Sequence, residues 1–213
     1  MTQPSGQATS LRAAKLARTR LALIDAAVDL CLRRGYEHTT VEQIAAAADV
    51  SPRTFSRYFP SKDAVFVAVL DDVADAVATE LDTLPTSLGP FEAMRVALGA
   101  VVARARDTPF GAFSPDRFTR IVQVVTSSDS LRRAAIEYRG PQVVEALAHR
   151  MDVDVDDPRL ALVMAVVSVT VVHAWSVLSS SDIPLDTGKI HDQIDDAFFD
   201  LARYAADLRT DGR

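Results

Sequence analysis

The sequence predicts an all-α protein, and three observations carry that expectation. Apolar residues recur at helical spacing along the chain, no stretch sustains the period-two alternation of a half-buried strand, and no internal repeat stands out. The reading gives about nine helices in two parts: a three-helix, helix-turn-helix segment over residues 11–60 and a larger helical body over 61–210. With 213 residues, 48% of them hydrophobic, the chain is long enough to bury a sizeable core.

The first helix is expected at about 11–34. Ile24, Ala27, Val28 and Cys31 fall at i, i+3, i+4 and i+7, and Gly35 is a natural C-cap. Cys31 therefore reads as core. It is the single cysteine, so it forms no disulfide framework and no cysteine-based metal site, which suits a reducing compartment.

Thr40 followed three residues later by Gln43 is a capping box that opens "VEQIAAAA", a helix of about two turns. Asp49-Val50-Ser51 is the turn after it: Asp tolerates the left-handed conformation, Val50 plugs the angle, and Ser51 caps the next helix. Pro52 at the first helical position starts "PRTFSRYF". Helices this short are not stable alone, so Ile44, Ala45, Ala48, Val50, Phe55 and Phe59 are expected to pack them together, with the alanine run 45–48 allowing close approach.

Ser61 and Lys62 open the next helix, to about Leu84. Beyond Pro85, helices are expected at roughly 90–107, 114–127, 130–150, 157–180 and 187–209, with Gly140-Pro141 kinking or splitting the third of these. The acidic run "DVDVDD" before Pro158 reads as a solvated loop. As a calcium loop it fails, because Asp157 stands where a Gly is needed and Val163 where a Glu is needed. The apolar run Leu160–Leu178 approaches membrane-span length, but Ser168, Thr170, His173 and Ser176 interrupt it, so a buried helix is expected and no membrane partner. The polar N-terminal stretch "MTQPSGQATSLRAAK" lacks the apolar centre of an export signal, and the cytoplasm is the expected compartment.

The net charge of −6 is unevenly spread. Residues 1–62 hold nine Lys/Arg against five Asp/Glu, a local +4, and the rest carries −10. A basic end on an acidic body points to a polyanion facing the N-terminal part alone. A short helix, a tight turn and a second helix bearing Arg and Tyr is the geometry that places one helix in the DNA major groove. Arg53 at the exposed start of that reader can donate twice to a guanine edge. Thr54 and Ser56 are short enough to meet bases closely, and Arg57 and Tyr58 reach base edges or phosphates. Thr40 and Lys62, each at a helix start, are placed for phosphates.

The stretch "TTVEQIAAAADVSPRTFSRYFPSKDAVF" resembles the DNA-binding segment of TetR/AcrR-type transcriptional regulators, and the likeness covers about residues 15–70. It implies Thr40, Ser51, Arg53, Thr54, Arg57, Tyr58 and Lys62 as contacts to double-stranded operator DNA. Two positions depart from the pattern: Asp49 stands where Gly is usual in the turn, and Ser56 where a phosphate-contacting Tyr is common, so that Tyr58 is the alternative for that contact.

The resemblance further implies a homodimeric, ligand-released repressor whose last two helices pair. Ile190, Ile194, Phe198, Leu201 and Ala205 recur at about 3.5 residues and are the expected interface; a monomer's own core is the alternative that could absorb them, and the pattern favours the dimer. The middle region is rich in aromatic and Met residues, and Met94, Phe113, Tyr138 and Trp175 are the candidates to line a pocket for a largely apolar inducer. His173 is either a polar anchor in that pocket or an interface residue, and His149 and His191 read as surface. With no metal-ligand cluster, nucleophile elbow or phosphate loop, no catalytic site, metal or cofactor is expected.

Overall fold

Ten α-helices and no strand occupy the residues that this computed structural model describes, which are 5–107, 114–179 and 186–210. They are α1 (Ser5–Arg34), α2 (Val41–Ala47), α3 (Pro52–Tyr58), α4 (Lys62–Thr83), α5 (Pro90–Asp107), α6 (Pro115–Ser127), α7 (Asp129–Glu137), α8 (Pro141–Met151), α9 (Pro158–Ser179) and α10 (Thr187–Thr210). The chain forms two compact units, Met1–Ala68 and Val69–Arg213, and the division falls inside α4.

Helix boundaries follow local chemistry. Gly35 ends α1 at φ +85°, where a side chain would be strained, and donates its N–H to the Cys31 carbonyl at 2.8 Å. The expected single helix over 130–150 is two helices, α7 and α8, which raises the count from about nine to ten. Pro141 has no N–H to continue the ladder and disfavours the helical conformation just before it, so Tyr138 and Gly140 are extended, with ψ of 135° and 117°. Gly140 is needed there for a second reason: a Cβ at that position would lie 2.6 Å from the Ala74 Cβ.

In the first unit, α1 contributes Leu23, Ile24, Ala27, Val28 and Cys31 to the core, α2 Ile44 and Ala45, and α3 Phe55, followed by Phe59. Burial pushes the Cys31 thiol above its ordinary value. The alanine run does less than its composition implies. Ala45 is fully buried, whereas Ala46 and Ala47 face solvent, and Ala48 and Val50 are half-buried, because a two-turn helix offers only one side to its neighbours.

In the second unit, α9 is the central helix and packs against α5, α6, α7, α8 and α10. It is long and apolar enough to cross a membrane, with a mean hydropathy of 2.1, yet half of that window is buried inside the unit. Its remaining side carries the exposed Leu162, Val169 and Val177, beside the exposed His173. The α10 residues Ile190, Ile194 and Phe198 are 0%, 2% and 4% exposed and belong to this core, so they are not free to meet a partner. Their spacing reports a facing helix, and here α5 and α9 of the same chain supply it. His191 is partly exposed, as a surface residue would be, but its ring also packs against Gly99, where a Cβ would sit 2.6 Å from Cε1, and its Nδ1 is buried without a partner among the described residues.

The end of α4 is held by an arginine. Arg150 Nη2 donates to the carbonyls of Leu81 and Leu84 at 2.7 and 3.0 Å, and Nη1 donates to Pro85 at 2.7 Å, satisfying acceptors that a helix terminus leaves open.

Candidate functional site

The short helices of the first unit are fixed by their caps. Thr40 Oγ1 accepts from the Gln43 N–H at 3.3 Å while Gln43 Oε1 accepts from the Thr40 N–H at 3.1 Å, the reciprocal pair expected from the sequence. Asp49 adopts φ +54°, and the Val50 N–H returns to the Ala45 carbonyl at 2.9 Å, closing the turn. Ser51 Oγ then accepts from the Thr54 N–H at 3.1 Å and Pro52 occupies the first helical position. Each cap contributes about 1 kcal/mol. Between them they hold two seven-residue helices that would melt alone.

Phe55 and Phe59, with ring centroids 5.8 Å apart, bury the inner side of α3. Its outer side is polar. Ser51, Arg53, Ser56 and Arg57 are exposed, and Thr54 and Tyr58 are half-buried. The Arg53 guanidinium has no partner among the described residues. The Arg57 guanidinium lies 5.4 Å from the Tyr58 ring centre, which limits the freedom of both side chains. Ser56 Oγ donates back to the Pro52 carbonyl at 3.1 Å. Thr40 is exposed; its Oγ1 accepts in the cap, and its hydroxyl also bonds the Glu42 side chain, which, after Glu42's own backbone N–H, helps hold that carboxyl below its ordinary range.

Lys62 is arranged differently from the others. Its ammonium donates to the carbonyls of Tyr36 and Thr39 at 2.6 and 3.0 Å and sits 3.8 Å from the Tyr36 ring centre. Two of its three N–H groups are thus spent on the loop between α1 and α2, leaving one. Tyr36 in turn donates from its hydroxyl to Asp63 and packs edge-on against Phe66 at 5.7 Å. Sequence reasoning overlooked Tyr36; its signal is an aromatic residue one position past the Gly35 cap, in a short loop whose other buried side chain is Thr39.

The profile of the family described as "Bacterial regulatory proteins, tetR family" matches residues 23–69, the segment from the buried Leu23 of α1 into α4. The HTH-type transcriptional regulator TcmR of Streptomyces glaucescens is 34% identical over 190 residues, covering 85% of this chain and 84% of that protein. This chain belongs to the TetR family. The HTH-type transcriptional regulator RutR of Escherichia coli K12 is 31% identical over 109 residues, 51% of each chain. Among solved structures, the TetR-family transcriptional repressor FadR of Thermus thermophilus in complex with lauroyl-CoA aligns with a TM-score of 0.49 and 20% identity, over 84% of this chain and 93% of that one.

The second unit of this TetR-family regulator holds a cavity of about 110 Å³. Met94, Tyr138 and Trp175, expected from the sequence to share a pocket, all line it; Phe113 lies outside the described residues. Leu70, Val73, Ala74 and Val77 of α4 complete one wall, and Met164, Val167 and Val171 of α9 another. No lining residue carries a charge. Tyr138 donates to Asp71, and burial, followed by that bond and the nearby Asp75 and Asp72, pushes its phenol well above the ordinary range, so it stays protonated. The Trp175 Nε1 is buried without an acceptor among the described residues, with its ring edge-on to Phe118 at 5.9 Å. His173 is exposed and takes no part in the cavity.

Of the five residues expected to pair two chains, Leu201 is half-buried and Ala205 exposed, while the other three are core. Phe198, Leu201 and Ala205 border a largely apolar groove of about 570 Å³ with Phe91, Leu162, Val166, Phe199 and Ala202, and with Glu92 and Arg95 at its side. Leu162, Phe199 and Tyr204 are each more than half exposed, at 63%, 58% and 60%. The sequence carried this signal in α9, which is apolar nearly all round, and in Phe199 and Ala202 of α10, each one residue past the expected Phe198 and Leu201. Among the described residues, no group of three or more His, Cys, Asp or Glu is placed to hold a metal ion.

Proposed function

We propose that this TetR-family regulator is a homodimeric, cytoplasmic repressor, without catalytic activity or a membrane role, that is released from operator DNA by an uncharged, largely apolar small molecule. The observation that carries the DNA half of this reading is α3: a helix capped by Ser51 whose outer side presents unpaired Arg53 between Ser51 and Thr54. Arg53 reads a guanine edge, Thr54 and Tyr58 meet bases or backbone, and Thr40, Ser51 and Arg57 hold phosphates. Lys62 keeps the α1–α2 loop in place and offers its remaining N–H to a phosphate. The N-terminal unit is the DNA-binding domain and the remainder the ligand and dimer domain.

The exposed apolar strip of α9 and α10 supports the dimer. Leu162, Val169, Phe199 and Tyr204 are costly to leave in water, and a two-fold partner presenting the same strip covers them. Two copies offer two reader helices to half-sites about one DNA turn, roughly 34 Å, apart.

The uncharged lining supports an apolar inducer anchored through the Trp175 N–H or Ser168. Size supports the mechanism. An engineered apolar cavity of roughly 150 Å³ binds benzene, and about 110 Å³ is smaller, so a ligand of one ring or more is expected to push the lining side chains apart. One wall is α4, which is continuous in sequence to Lys62. The ligand therefore prefers a state with α4 displaced, and DNA prefers the other state. The test is fluorescence anisotropy of the purified protein on duplexes from upstream of its own gene, with and without panels of neutral aromatic and aliphatic compounds. Selective binding that Arg53→Ala erodes and an apolar compound reverses is the expected result. Binding to no genomic fragment after ligand stripping refutes the reading.

A further inference from the structure

We propose that the exposed opening of α1, residues 12–18, is a second DNA-contact element that grips backbone phosphates alongside the reader helix; this rests on the DNA-binding role of the first unit.

α1 is 30 residues long; from Arg12 onward its first buried side chain is Leu23, and every residue from Arg12 to Arg18 is exposed. At 1.5 Å per residue, Arg12 stands about 16 Å along the helix from the start of the core. Between Ser5 and Ile24 there are four basic residues and no Asp or Glu. Arg20 is tied down, donating to the Ala68 carbonyl at 3.0 Å. The side chains of Arg12, Lys15 and Arg18 have no partner among the described residues.

Their three-residue steps matter. At 100° per residue they span an arc of about 120°, so the three cations share one side of the helix. The other side carries Ala13, Ala14, Leu16 and Ala17, too little apolar bulk to enter a bilayer. A one-sided basic helix with no internal acid to neutralise it fits a polyanion, and it belongs to the unit that carries α3. Phosphate is the recognised chemistry, so the element adds affinity without sequence preference.

The test uses the full chain with Arg12, Lys15 and Arg18 all changed to Gln, beside a charge-keeping control, Arg12→Lys with Arg18→Lys. Binding to an operator duplex and to an unrelated duplex is followed across salt. The slope of log affinity against log salt is expected to fall by about 0.9 for each phosphate no longer neutralised, or about 2.7 per chain, equally on both duplexes. The ratio of specific to non-specific affinity is expected to hold, the control to behave as wild type, and the melting temperature to stay put because these side chains pack on nothing. An unchanged slope overturns the proposal. Loss of binding to phosphatidylserine vesicles with an unchanged DNA slope overturns it in favour of a lipid surface. A wild-type chain that binds no DNA overturns the regulator reading itself, a different result from loss confined to the triple variant.

Discussion

Replacing Lys62 by Met separates two roles that the sequence alone could not. The Met side chain keeps the length and apolar stem while removing the ammonium, so the carbonyls of Tyr36 and Thr39 lose their donor and the Tyr36 ring loses its cation. For a half-buried group the lower end of the charged hydrogen-bond range applies, about 1.5 kcal/mol for each of the two bonds. The cation over the ring adds about 0.5–1 kcal/mol. Freeing a fixed Lys side chain returns up to about 2 kcal/mol of entropy, so the net loss is roughly 2 kcal/mol. In a unit of this size that lowers the melting midpoint by on the order of 10 °C. Thermal unfolding with amide exchange across α1 and α2 measures it. Lys62→Arg, a bulkier planar head, is expected to recover only part. A Lys62→Met protein as stable as wild type refutes the internal role and returns Lys62 wholly to the phosphate backbone.

Gly140→Ala places a Cβ 2.6 Å from that of Ala74, between two backbones that cannot both yield, and is expected to destabilise the second unit by about 1–3 kcal/mol in denaturant titration. Gly99→Ala meets only the end of the His191 side chain, which can swing outward, and gains helix propensity near 1 kcal/mol, so it is expected to be neutral or stabilising. Phe199→Glu or Leu162→Glu is expected to shift the protein to monomer in sedimentation without lowering monomer stability, whereas Ile190→Ala is expected to lower stability by about 2–5 kcal/mol. Trp175 is the sole tryptophan and lines the cavity, so an entering ligand is expected to change its fluorescence, and a Tyr138→Phe variant keeps that response. The raised Tyr138 phenol stabilises the fold fully below the ordinary phenol pKa of about 10, and that contribution is lost as pH climbs past it. The Phe variant is expected to lose this alkaline dependence.

Local features were the most legible. The Thr40–Gln43 box, the left-handed Asp49 and the Ser51-Pro52 start each depend on residues within three or four positions, and the structure has all of them. The break at Gly140-Pro141 was visible as a kink or a split, but the need for Gly at 140 comes from Ala74, far away in sequence. The cavity members Met94, Tyr138 and Trp175 were found because bulky polarisable residues mark the middle of the unit. What periodicity could not supply was the identity of the facing helix. Ile190, Ile194 and Phe198 look the same whether α5 and α9 or a second chain lies opposite, and only the fold shows that the neighbouring register, with Phe199, stays uncovered. Lys62 poses the same problem in electrostatic form: a cation at a helix start suits a phosphate, and here two carbonyls reach it first.

The central claim is that α3, presented twice by a dimer, reads DNA through Arg53. The most direct test is selection of bound duplexes from a random library by the wild-type protein and by Arg53→Ala. The account predicts that the wild type enriches an inverted repeat whose half-sites lie about one helical turn apart, with a guanine at one fixed position in each half. Arg53→Ala then keeps the repeat and loses preference at that guanine alone. Enrichment of no repeat by the wild type, or an unchanged motif with Arg53→Ala, would contradict the account.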